Sequence, residues 1–138
     1  MAANILYDAK LLTRYYERRA KASIGLEPTF KLGKAVWGNG LSTLVNGLPS
    51  VAPIPMDLAS VPGKFYQCDP IYTYANGRIT VRAALPAGAV PVGQQFEFTT
   101  LGLLDDKGGL VCVMVSTPMW IHDKRSLSVE GYIETNLA

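Results

Sequence analysis

The chain has 138 residues, enough for one ordinary domain to bury a core without metal or disulfide staples. Hydrophobic residues make up 49% and charged residues only 17%, below the roughly 25% usual for soluble chains, so partner subunits are expected to cover part of the surface. A net charge of +2 excludes a strongly basic nucleic-acid binder, and no run of about 18 apolar residues offers a helical membrane span.

Basic side chains cluster early: residues 1–40 hold seven against three acidic ones, and the remainder is slightly acidic. From Asn4 to Ser23 there is no Gly or Pro, and Ile5, Leu6, Ala9, Leu12 and Tyr16 recur at helical spacing, which predicts an N-terminal helix. Asn4 can cap it, Asp8 lies in its first turns, Arg18, Arg19 and Lys21 sit in its last turns, and Gly25 stops it. Lys10, Arg14 and Arg18 form an i, i+4, i+8 row. Such a row reads either as a solvated helix face or as a docking surface for an acidic partner.

After Glu27-Pro28 the punctuation by Gly and Pro predicts strands and loops. Phe30 to Trp37 reads as a strand ending at the turn signal Gly38-Asn39-Gly40, and residues 46–63, with Pro49, Pro53, Pro55 and Pro62, read as a long ordered loop. Phe65 to Tyr74 leads into Asn76-Gly77, the strongest short hairpin signal. The strand returns as Arg78 to Leu85, with Ile79, Val81 and Ala83 on one face and Arg78, Thr80 and Arg82 on the other. Phe96 to Leu104 and Leu110 to Val115 flank a turn-rich Asp105-Asp106-Lys107-Gly108-Gly109, and Ser126 to Tyr132 is a last alternating strand. The expected fold is therefore mainly β, an antiparallel β-sandwich or barrel-like domain (26–138) preceded by one α-helix (1–25), together a single domain. Its core should include Leu85, Phe98, Leu101, Leu103, Val111, Val113 and Val115, the three valines sharing a strand face opposite Cys112 and Met114.

Catalytic and metal chemistry finds little support. His122 is the only histidine, so a triad or His-based metal site has a single possible member; it sits in the polar patch Ile121 to Arg125, which reads as an inter-strand loop. Cys68 and Cys112 lack a CxxC spacing and read as small core hydrophobes. Asp105 and Asp106 lack the spaced ligands of a calcium loop and read as turn residues. Gly38-Asn39-Gly40 lacks the Lys-Ser/Thr of a phosphate loop. Tyr66, Tyr72 and Tyr74 are not interleaved with basic residues as a single-strand binder requires. No enzyme, cofactor or metal is expected. The start, Met1 to Asp8, has no secretory character, and synthesis in a cytosol is expected.

One succession of segments resembles a known family: Ala35-Val-Trp-Gly-Asn-Gly40, a Pro-rich stretch, Asn76-Gly-Arg-Ile-Thr-Val81, Leu85-Pro-Ala-Gly88, the hairpin Gly102-Leu-Leu-Asp-Asp-Lys-Gly-Gly-Leu110 and Thr117-Pro-Met-Trp120. It is similar to the N-terminal tail-collar, or tail-fibre attachment, domain of tailed bacteriophages, over roughly residues 30–137. Leu104 stands where that family usually has an aromatic before the Asp. The resemblance implies a structural virion protein of the tail, made in the host cytoplasm, that joins tail-fibre and baseplate proteins and assembles with itself, often as a trimer, without nucleic acid or membrane. The attachment element is expected in the N-terminal helix, with Tyr15, Arg18 and Arg19 among its contacts, because Tyr and Arg are enriched at binding hot spots. The alternative is a small carbohydrate- or ligand-binding sandwich that stacks sugars on Trp37, Trp120 or the tyrosines.

Overall fold

Alternation of apolar and polar residues builds most of this molecule. The protein is described by a computed structural model covering residues 4–5, 9–26, 29–40, 42–45, 48–51, 56–124 and 126–134. In Arg78–Leu85 (β8), Val81, Ala83 and Leu85 are buried while Arg78, Arg82 and Ala84 are exposed, as the two-residue period requires. Leu127–Glu134 (β11) repeats the pattern, burying Leu127, Val129, Gly131 and Ile133, and pairs with β8 in unbroken antiparallel register from Leu127↔Leu85 to Glu134↔Arg78. Ile71–Ala75 (β7) joins the other side of β8 through the Asn76-Gly77 turn, where both residues adopt positive φ (51° and 80°) as that dipeptide allows. Asn4–Ile5 (β1) pairs in parallel with β11 and completes one sheet, in the order β1-β11-β8-β7.

The second sheet is built on Gln95–Asp105 (β9) and Leu110–His122 (β10), joined by the turn-rich hairpin. Leu32–Gly38 (β3) and Tyr66–Cys68 (β6) extend it beyond β9, and Lys10–Leu11 (β2) pairs with β10, giving β2-β10-β9-β3-β6. Ser42–Val45 (β4) and Leu48–Val51 (β5) form a separate hairpin. The inner faces of the two large sheets meet in one core, with Trp37, Phe98, Leu101, Leu103 and Met114 against Val81, Leu85, Val129 and Ile133. This is the expected antiparallel β-sandwich with one helix. A second, smaller core lies on the other face of the β9-β10 sheet, where Val36, Leu110 and Val113 are covered by Leu12, Leu58 and Val61.

All seven expected core residues are 3% exposed or less. The valines nonetheless do not share one face: Val111 joins Cys112 and Met114 in the main core, while Val113 packs in the smaller one. The cause is a register shift between Leu110 and Cys112, where a bulge puts neighbouring residues on the same side. A second shift, between Val115 and Met119, spans Pro118, which has no N–H to give the ladder.

Three expectations about elements are corrected. The helix (α1) runs only from Thr13 to Ser23, with Leu12 rather than Asn4 at its N-cap, and Asn4–Ile5 and Lys10–Leu11 are strands. The Leu12 N–H is taken by the Val111 carbonyl at 2.9 Å, so the preceding residues are drawn onto the sheet edge and cannot continue the helix. Within the stretch read as a loop, Leu48–Val51 is a strand: among the described residues it pairs with β4 alone, and proline is tolerated on such edge strands. Third, the His122 patch is not wholly a loop, since β10 continues to His122 before turning at Asp123. The expectations for Leu6, Asp8, Glu27, Pro28, Pro53, Pro55 and Arg125 fall outside the described residues.

Candidate attachment surface

The helix carries arginines at positions 14 and 18, one turn apart and hence on the same side. Two cations so placed repel unless an anion lies between them, and the β9-β10 turn supplies it. The Asp105 Oδ2 atom accepts from Arg14 Nε and from Arg18 Nη1, each at 2.7 Å. Its other oxygen accepts the turn's own Lys107 and Gly109 N–H groups, each at 2.9 Å, so the carboxylate is satisfied on both sides while fully buried. Arg18 Nη2 also reaches Asp106 at 3.1 Å and the Thr29 carbonyl at 2.6 Å. The acidic partner of the basic row is thus the chain's own Asp105-Asp106 pair. Lys10, on β2, is not part of that helix face.

Gly109 shows how tightly the arginine is held. A Cβ there would stand 2.0 Å from Arg14 Nε, so any larger residue would push the guanidinium off Asp105. Burial alone would raise the Asp105 carboxyl, but the Arg14 donor, the turn N–H groups and Arg18 outweigh it and hold the pKa at about 2. Burial likewise works against the Arg18 charge, and hydrogen bonding and attraction to Asp105 and Asp106 overcome it, so its pKa is raised.

This arrangement carries a pH dependence of definite sign. The folded carboxyl lies below its ordinary value of 3.8, so its stabilisation is complete above about pH 4 and is lost as pH falls through 2. Acid titration of the native chain, followed by circular dichroism, should therefore show stability falling from pH 4 downward. In Asp105→Asn that part of the pH dependence should be gone.

Of the three residues expected to contact a partner, Tyr15 and Arg18 are 5% and 4% exposed and are engaged within the chain. Tyr15 packs edge-on against Phe30 at 5.4 Å, and Arg18 lies over the same ring at 5.2 Å. Arg19 is exposed, with its guanidinium 5.6 Å from the Tyr15 ring centroid and 6.0 Å from that of Tyr16. Tyr16 is 47% exposed, and Ile24 and Leu26 just past the helix are 72% and 69% exposed. The sequence held only a weak signal for Asp105: two arginines four apart on one helix face favour an anion between them, and Asp105-Asp106 is an adjacent acid pair.

The platform for the alternative sugar-binding reading is reduced. Trp37 is fully buried against Phe98, and its Nε1–H donates to Cys68 Sγ at 3.3 Å. The Tyr72 hydroxyl is used on the Gly33 carbonyl at 2.7 Å. Trp120 is 54% exposed. Burial pushes the Cys112 thiol up to about 12, which keeps it a neutral core group. Among the described residues no three His, Cys, Asp or Glu side chains gather as a metal site, and no helix is long and apolar enough to cross a membrane.

The fold is thus a β-sandwich with a latched helix and an exposed surface of Tyr16 and Arg19 beside it. The chain belongs to the bacteriophage P1 tail fiber protein R family, whose family model matches residues 1–131. It is 34% identical over 117 residues to "Tail fiber protein R" of Escherichia phage P1, covering 78% of this chain and 80% of that protein. No solved structure matches it. The resemblance to a phage tail-fibre family thus holds, and the protein is a phage tail structural protein.

Proposed function

We propose that this protein is an attachment module that holds a tail fibre to its neighbours in the virion tail, and that the outer side of α1 is the contact. The observation that carries this reading is the Tyr16–Arg19 surface. Arg19 rests on two tyrosine rings on a helix that Arg14 and Arg18 fasten to the sandwich, and the apolar Ile24 and Leu26 continue the exposed surface. Ordering such side chains before binding reduces the entropy lost on association, and Tyr and Arg are the types most enriched among energetically dominant contacts. Tyr15 and Arg18 serve from beneath: they fix the helix and support the ring on which Arg19 lies.

The role is structural, and binding rather than catalysis is the chemistry the residues support. The partners are other tail proteins, with the baseplate as the expected anchor. A photo-crosslinking amino acid at position 16 tests the contact during phage assembly. Covalent capture of another tail protein from position 16, and none from a control at position 80 on the exposed side of β8, is the expected result. Equal capture from both positions, or none from either, would refute the helix as the contact.

A further inference from the structure

Tyr74, near the end of β7, is 69% exposed, yet its hydroxyl is engaged: it accepts the Gly77 N–H at 3.1 Å. The β7-β8 ladder closes at Ala75↔Arg78, so this N–H lies outside it and finds its acceptor on a side chain. Asn76 is exposed, whereas Gly77 is buried although it stands in a hairpin turn. Asn-Gly is also the dipeptide most prone to react with itself, because glycine places no side chain beside the attacking nitrogen. The Gly77 nitrogen, having given its proton to solvent base, bonds to the side-chain carbonyl carbon of Asn76. The bond from that carbon to the amide nitrogen breaks, ammonia leaves with a proton from water, and a cyclic imide is formed. Water then adds to either imide carbonyl and opens the ring to aspartate or to a β-linked isoaspartate.

We propose that Asn76 is a site of spontaneous deamidation in this protein and that Tyr74 is its guard, holding the Gly77 nitrogen away from the Asn76 side chain. In the closed turn, φ angles of 51° and 80° and the bond to Tyr74 fix the peptide plane that carries this nitrogen. Attack requires that bond to break and the plane to turn, so the rate follows the fraction of time the turn is open. The burial of Gly77 also keeps solvent base from its N–H. The product alters the hairpin. Aspartate adds a negative charge to the turn, and isoaspartate also lengthens the backbone between residues 76 and 77, which upsets the two-residue loop that sets Ala75 opposite Arg78. Deamidation therefore loosens β7, the strand that closes one side of the β1-β11-β8-β7 sheet. A tail protein is not replaced once the virion has assembled, so the change accumulates as the particle ages.

The test is site-resolved mass spectrometry of the full folded chain stored in mildly alkaline buffer, with Asn39-Gly40 of the same chain as internal reference. Tyr74→Phe keeps the ring and removes only the acceptor. Losing that one hydrogen bond should speed conversion at Asn76 by about two- to tenfold, with the rate at Asn39 and the thermal melt unchanged. Tyr74→Ala, which removes the ring as well, should convert faster again, and the native chain denatured in urea fastest of all. A variant that loosened the whole fold would raise the rates at Asn39 and Asn76 together, so the ratio of the two is the quantity to read. A ratio that Tyr74→Phe leaves unchanged overturns the proposal. So does an Asn76 that stays intact in both folded chains over the time in which the denatured chain converts fully.

Discussion

Asp105→Ala should lower unfolding stability by up to about 3–5 kcal/mol, the range for removing one partner of a buried ion pair, with Arg18 left its bonds to Asp106 and the Thr29 carbonyl. The substitution strips Arg14 and Arg18 of the oxygen they share and leaves the Lys107 and Gly109 N–H groups without their acceptor. The loss matters because a domain of this size has only about 5–15 kcal/mol in total. Urea denaturation monitored by tryptophan fluorescence measures it, since Trp37 is fully buried in the folded chain. Asp106→Ala is the comparison. Asp106 lies on the exposed part of the turn, and its loss still leaves Arg18 its bond to Asp105, so a clearly smaller effect is expected. Equal effects from the two aspartates would show that turn chemistry, not the arginine latch, is what Asp105 provides.

Trp37→Ala should cost a similar amount, about 3–5 kcal/mol, by a different route. Trp37 is wholly buried on β3, 4.7 Å from the Phe98 ring centroid, and heads the largest buried side chains of the main core. Truncation removes its transfer free energy and leaves a void that the paired strands β3 and β9 cannot close without losing register. The Asp105 variant loosens the helix and turn, whereas this one loosens the sandwich. The unfolding midpoint should therefore fall, and the acid sensitivity between pH 4 and 2 should remain. A variant with native stability would mean that Trp37 is not central to the core.

The parts of the fold legible in the sequence are those where a strand is half buried. β8 and β11 show their faces in alternation, and Asn76-Gly77 announces its hairpin. The N-terminal segment is not legible in the sequence, for a physical reason. Its strands are two residues long, too short to display a two-residue period, and the spacing of Ile5, Ala9 and Leu12 fits a helix equally well. What decides the matter is a non-local bond, the Leu12 N–H to Val111. The bulge that places Val111 beside Cys112 is equally non-local, since register belongs to a pair of strands and not to one.

The attachment residues divide along the same line. Composition picked out the Tyr and Arg cluster, but Tyr15 and Arg18 differ from Tyr16 and Arg19 only by which side of the helix meets Phe30 and Asp105. Deleting residues 1–24 would therefore remove part of the folded structure as well as the proposed contact. Because Leu12, Tyr15 and Arg18 are buried parts of the structure, the truncated chain should lose its cooperative melt rather than survive as an unattached sandwich. Reversing charge at Arg18 would likewise confound binding with folding, so Arg19 is the position to change.

Co-sedimentation of the purified chain with phage tails that lack it tests the attachment role most directly, with native protein compared against Arg19→Glu. Arg19 is exposed and outside the Asp105 latch, so the variant should keep the native melt. The account predicts that it nevertheless fails to sediment with tails that retain the native chain. Full retention of folded Arg19→Glu on the tails would contradict it.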